Sequence, residues 1–204
     1  MCQYGHHIRH IVVSNAPMSS LVGRASVGSN DGVGTNAQFN YPIGIALSSV
    51  GTFALVADKD NCIIRKVVVV STKVVTRVAG SGTCCTTTIN GIGTSATFSF
   101  SSSVTVSSDD SFAVVSDLSS CIRKIVLSTG SVTTVAGSTS AAVGSADGIG
   151  TLTRFKWSYS VVLTSDDSTA YVLDRYNNNV RRVVCVIDST GEHSGGSGGL
   201  CDSY

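Results

Sequence analysis

The groups with which this chain could do chemistry are few and poorly placed for it. Its four histidines are His6, His7, His10 and His193, all toward the ends of the sequence. A zinc site needs three or four converging ligands. The cluster His6-His7…His10 offers opportunistic metal binding at most, so solvent-exposed terminal histidines are the reading. The seven cysteines are an odd number, and Cys2, Cys62, Cys84, Cys85, Cys121, Cys185 and Cys201 show no zinc-type pairing. Cys62 and Cys121 sit near equivalent places in neighbouring repeats, too far apart for a disulfide, whose Cα atoms lie within about 7 Å. Cys84-Cys85 are either paired or simply exposed. Cys2, Cys185 and Cys201 leave an intrachain or interchain bridge open. Serine is abundant, yet no G-x-S-x-G elbow occurs. Phosphate-loop, kinase and dinucleotide signatures are also absent from the sequence. No catalytic, cofactor-binding or metal-binding residue is therefore assigned, no cofactor is expected, and the chain reads as a non-enzyme.

The acidic residues follow a different pattern. Asp58, Asp117 and Asp174 each fall 19 residues after a phenylalanine, namely Phe39, Phe98 and Phe155. A catalytic carboxylate is needed once, not once per repeat, so these read as turn or capping groups. The run Asp58-Lys59-Asp60-Asn61 lacks the alternating oxygen ligands and terminal Glu of a calcium loop. Upstream, Asp31-Gly32-Val33-Gly34-Thr35 returns as Asn90-Gly91-Ile92-Gly93-Thr94 and as Asp147-Gly148-Ile149-Gly150-Thr151. Because Asn90 replaces Asp in the middle copy, Asp31 and Asp147 read as loop turns and not as groups needed for their charge. A chain that restates itself at a long period is built from equivalent supersecondary units.

Those units are made of strands. Ile43, Ile45 and Leu47 stand at alternate positions, as do Tyr159, Val161 and Leu163, which is the period of a half-buried strand. Turns rich in Asp, Ser and Gly follow at Ser48–Gly51, Ser107–Ser111 and Thr164–Ser168. Apolar strings such as Leu55-Val56-Ala57 suit a buried second strand, Val67–Val70 a third, and Lys73–Ala79 or Ser131–Ala136 a fourth. No helical period competes. Residues 1–187 are therefore expected to form one repeat domain that begins in mid-repeat, with 188–204 as a Gly/Ser-rich tail or linker.

The phrase "DGVGTNAQFNYPIGIALSS…ALVADKDNCIIRKV…VTRVAG", seen once whole and twice in variant form, resembles the NHL-repeat family of β-propellers. The resemblance covers about Ile8 to Val186. It departs at Ser101 and Ser158, which stand where the first unit has Pro42, and at Ser120, which stands where the other units have Asn61 and Asn179. It implies an all-β fold: four-stranded antiparallel blades, about three of them plus a partial one, in a ring that is incomplete or completed by oligomerisation. The starting half-unit could lend the last blade its fourth strand. The resemblance also implies a non-catalytic interaction or structural module that binds a protein or glycan partner, or copies of itself. An enzymatic or metal-dependent propeller with its active residues elsewhere is the alternative.

Charge narrows the partners. The net charge is +1, with 13% charged residues. Nothing there builds the basic field that a phosphate backbone requires, so nucleic acid is not expected. The basic residues concentrate in the pairs Arg65-Lys66, Arg123-Lys124 and Arg181-Arg182. They read as blade anchors that pair with the preceding Asp; a positive ring on one face is the alternative. No apolar run is long enough to span a membrane. Abundant Ser and Thr with little charge suggest an extracellular or cell-surface setting.

Overall fold

A computed structural model of the chain describes residues 5–11, 14, 17–185 and 201–203. The strands, in order, are β1 His7–Ile11, β2 Met18–Gly23, β3 Gly32–Val33, β4 Pro42–Leu47, β5 Phe53–Asp58, β6 Ile63–Val68, β7 Val74–Ala79, β8 Gly91–Ile92, β9 Ser101–Val106, β10 Phe112–Asp117, β11 Cys121–Val126, β12 Ser131–Gly137, β13 Gly148–Ile149, β14 Ser158–Leu163, β15 Thr169–Asp174, β16 Asn179–Cys185 and β17 Cys201–Ser203. They form three five-stranded sheets and one two-stranded sheet. All pairings are antiparallel. Among the described residues the helical elements are all single 3-10 turns.

Each five-stranded sheet has one more strand than the sequence suggests. The Asp/Asn-Gly phrase itself pairs: β3, β8 and β13 add two residues outside the fourth strand of each sheet, and a 3-10 turn follows each. The innermost strands β4, β9 and β14 lie against one another, β9 contacting both of the others.

Two expectations are corrected at the ends. The fourth position of the third sheet is occupied by β17, which pairs with β16 and β13. Part of the stretch read as a tail is thus sheet, while Gly195–Gly199 lie outside the described residues. The starting half-unit does not serve the last sheet. Its strands β1 and β2 pair with each other and set Val22 against Phe39, Ala37 and Val56 of the first sheet.

Apolar residues explain the stacking. A second core joins Leu55, Ala57 and Ile64 of the first sheet to Phe98, Val104 and Val115 of the second. A third joins Val114, Ile122 and Ala136 to Phe155, Val161 and Val172. The strands are read as apolar on both faces because both faces are covered.

The third sheet breaks this rule. Tyr171, Leu173 and Val180 hold the positions of Leu55, Ala57 and Ile64, yet Leu173 is 47% exposed where Ala57 is wholly buried. On the opposite side, Ile45 and Leu47 of the first sheet are also bare, because β1 and β2 cover only its outer half.

Polar latches accompany the apolar contact between sheets. Asp110 accepts the Ser49 N–H at 2.7 Å, and Asp167 accepts the Ser108 N–H at 2.9 Å. Ser165 is the same position in the third unit. Glycine closes the other end: Gly80 has φ +106°, and a Cβ there would lie 2.5 Å from the Cys62 carbonyl oxygen.

Phe98 is fully buried at the contact of the first two sheets. Phe98→Ala is expected to cost about 3–5 kcal/mol, the range for truncating a buried aromatic ring. Chemical denaturation would check it; a loss within noise would contradict this packing.

Candidate binding face and the buried nodes beneath it

Each unit is organised around one buried arginine. Arg65 and Arg123 are wholly inaccessible and Arg181 nearly so. Their guanidinium carbons lie 5.1, 5.2 and 5.2 Å from the ring centroids of Phe39, Phe98 and Phe155. Buried charges must be paired or hydrogen-bonded, and the loops supply the partners. Arg65 donates to the carbonyls of Gln38 and Asn30, to Asp58 at 3.2 Å and to Asp31 at 2.7 Å. Arg181 donates likewise to Arg154, Ala146, Asp174 and Asp147.

The recurring Asp therefore does pair with the arginine in the first and third units. The reading of Asp31 and Asp147 as turns without need of charge is overturned: both form ion pairs with the buried arginine. A basic ring on one face is excluded for these arginines, because they are interior.

The middle unit differs. Arg123 donates to the carbonyls of Thr97 and Ile89 and to the Asn90 side chain, and among the described residues it has no carboxylate within ion-pair distance. Asp117 instead accepts the N–H groups of Ser99 and Ser119 and the Ser119 hydroxyl. Burial lifts its carboxyl to about 6, against those hydrogen bonds and the positive charge of Arg123. Burial also raises Asp58, opposed by its bonds to Asn40, Asn61 and Arg65.

Asp58 accepts Asn40 N–H and Asn61 Nδ2, so its oxygens are already engaged. The matching group in the third unit is Asn177, which bonds Asp174, and not Asn179, which begins β16.

Other singled-out residues scatter. His6 and His7 precede or open β1, and His10 pairs in register with Ser19. Among the described residues no three His, Cys, Asp or Glu side chains gather as a metal site. Cys62 bonds Cys84 in a disulfide, a pairing the sequence reading did not reach. Cys85 is partly exposed and Cys121 buried, both as free thiols. Burial, reinforced by Asp117, pushes the Cys121 thiol to about 11, so it is inert as a nucleophile. Cys185 and Cys201 are register partners in the backbone. Cys2 and His193 lie outside the described residues.

The residues that stand out were not singled out from sequence. Two positions after each buried phenylalanine comes an aromatic: Tyr41, Phe100 and Trp157. All three have left-handed backbone, with φ of 55°, 56° and 60°. Bulky side chains adopt that conformation rarely and at a cost of about 1–3 kcal/mol. Each N–H is held by the preceding unit: Tyr41 by His6 Nδ1, Phe100 by Cys62 Sγ and Trp157 by Ser120 Oγ. Asn178 is the fourth member of that series.

The rings stand 46%, 40% and 42% exposed, directly before the innermost strands, so they share one end of the stack. Lys59 Nζ lies 5.0 Å from the Tyr41 centroid and 5.1 Å from that of Phe100, joining neighbouring units. Trp157 meets Tyr176 edge-on at 5.0 Å, and Arg175 covers Tyr176 and Tyr159. A cleft of about 350 Å³ beside them is floored by Leu173, Asn178 and Val180. Those are positions that the next sheet covers in the first two units, so the cleft is the slot between units.

No protein-family model matches the sequence, and no curated protein matches it either. Solved structures do share the fold. A Bacteroides thetaiotaomicron protein of unknown function superposes with TM-score 0.67 at 18% identity, over 88% of this chain and 42% of its own. Auxiliary nutrient binding proteins from B. thetaiotaomicron and Bacteroides ovatus both give TM-score 0.66, at 18% and 20% identity. They are matched over 88% and 87% of this chain and 43% of theirs. The chain thus spans less than half the length of these proteins. At such identity the likeness concerns the fold alone, an all-β arrangement of antiparallel sheets.

Two measurements follow. Asp117 has a folded value above its ordinary 3.8, so its favourable contribution is full below pH 4 and is lost as pH rises through about 6. Relative to Asp117→Asn, wild-type stability should fall across that window; a flat difference would contradict the burial. Asn90→Asp should stabilise by about 0.5–1 kcal/mol by giving Arg123 its missing carboxylate. Thermal melts of that variant would check it.

Proposed function

We propose that this chain is a run of NHL-type blades within a β-propeller and serves as a non-catalytic binding module, taking its partner on the face that carries Tyr41, Phe100 and Trp157. The propeller reading is supported by sheets that stack through equivalent cores, inner strand against inner strand. The bare third sheet favours continuation by further blades, since it presents Ser165 and Asn178 where earlier units latch their neighbour. A blade from more of the same protein or from a second copy would cover it.

The observation that carries the binding reading is the trio of strained, half-exposed rings. A packing role would hide them, and a turn role would select Gly or Asn. Backbone strain maintained at equivalent positions points to a use for the side chains. Rigid scaffolds present such groups at their loop ends. Two of the Bacteroides proteins of like fold are nutrient-binding proteins, which is in keeping with a binding role here. The Cys62–Cys84 disulfide favours an oxidising, extracellular setting.

Trp157 is the chain's only tryptophan. Its fluorescence therefore reports this face alone. A panel of oligosaccharides and peptides should contain at least one compound that shifts the emission saturably and is recovered unchanged. A panel that leaves Trp157 untouched, or a compound that is turned over, would overturn this reading.

A further inference from the structure

The ligand class can be taken further, on the basis of that binding face. We infer that the face binds an acidic oligosaccharide, one whose sugar rings carry carboxylates. The argument begins with the spacing of the rings. Tyr41 and Phe100 share one ammonium between them, so they stand as separate platforms and not as one merged apolar patch. Trp157, set edge-on against Tyr176, is the third.

A protein hot spot is a desolvated pocket that swallows an apolar anchor. Here the rings stand proud with nearly half their surface in water, and the adjacent cleft is the slot between units. Separate π faces suit a chain of flat units. A pyranose offers a C–H face carrying slight positive charge, which the negative face of an aromatic ring attracts. Its hydroxyls remain in water, so nothing polar is stranded by stacking.

Charge then chooses among flat ligands. Lys59 is balanced by Asp60 at 2.7 Å. Arg175 is not balanced: it lies over Tyr159 and Tyr176, and among the described residues no carboxylate pairs with it. Arg175 is itself exposed, and its guanidinium carbon lies 5.1 and 5.4 Å from the centroids of Tyr159 and Tyr176. That is a fork awaiting a planar oxyanion, and a carboxylate fits it with two parallel hydrogen bonds.

Single-stranded nucleic acid also stacks on aromatic rings, but it carries one charge per nucleotide and binds through a basic groove. This chain has a net charge of only +1, and Arg65, Arg123 and Arg181 are buried in their units. One free guanidinium on an aromatic face matches an occasional carboxylate and not a continuous phosphate backbone.

The test uses the full chain and the Trp157 signal, with tetragalacturonate, neutral maltotetraose and poly(U) as probes. Tetragalacturonate should shift the emission saturably and bind more tightly than either of the others. Arg175→Gln should weaken it about tenfold, the loss of one charge-assisted contact, and weaken maltotetraose by clearly less than that. Phe100→Asn, which relieves the left-handed backbone while removing the ring, should keep or raise the melting temperature and abolish binding of both sugars. Its melting curve separates loss of the platform from loss of the fold. Preference for maltotetraose with no response to Arg175→Gln would overturn the acidic class and leave the binding face standing. Preference for poly(U) would overturn the saccharide itself. Silence of Trp157 toward all three would overturn this inference, and silence toward the wider panel would overturn the binding face as well.

Discussion

A guanidinium buried against a phenyl ring is the constraint on which each unit depends. Once Arg65, Arg123 and Arg181 are out of water, the incoming loop has little freedom. It must turn two backbone carbonyls inward, bring an Asp or Asn side chain to the second nitrogen, and lay Phe39, Phe98 or Phe155 against the flat face. An arginine left without these partners would be severely destabilising, because the desolvated charge would have nothing to offset it. The loop phrase, the phenylalanine and the third-strand Arg recur together because they are parts of one interaction, which the Asp joins in the first and third units.

That dependence explains why so much of the fold was legible in the sequence. Asp58 and Arg65 belong to one node, so the Asp lies 19 residues after the phenylalanine in every unit, and the arginine follows it by seven residues in the first and third units and by six in the middle one. Strand periods gave the sheets for the ordinary reason that inner and outer faces alternate. The short edge strands at Gly32, Gly91 and Gly148 were hidden, since two residues are too few to carry a period. The ends misled: β17 fills the last sheet from within a stretch whose composition reads as linker, and β1–β2 back onto the first sheet.

The candidate site was less legible, for a physical reason. Tyr41, Phe100 and Trp157 differ in identity, so a search for repeated letters passes over them, although a search for repeated ring character would not. Their left-handed backbone is invisible in composition, which would place Gly or Asn there. The charge role of Asp31 and Asp147 is hidden in the sequence because the neutral Asn90 stands at their position in the middle unit. Asn90 does fill the same place as a neutral acceptor, and the middle unit adapts, with Asp117 turning to serine partners instead of to Arg123. The Cys62–Cys84 bond joins a strand entrance to a loop of another unit's approach, a proximity that only the folded chain creates.

The two-residue strands β3, β8 and β13 have an effect beyond their length. Open sheets tend to recruit foreign strands along their unpaired rims. Here the outer rim of each five-stranded sheet is a stub that turns at once into a 3-10 coil, which leaves a short outermost strand to extend. Amyloid-like growth along the outer edge of each sheet is thereby discouraged, because a foreign strand would find only a two-residue template there.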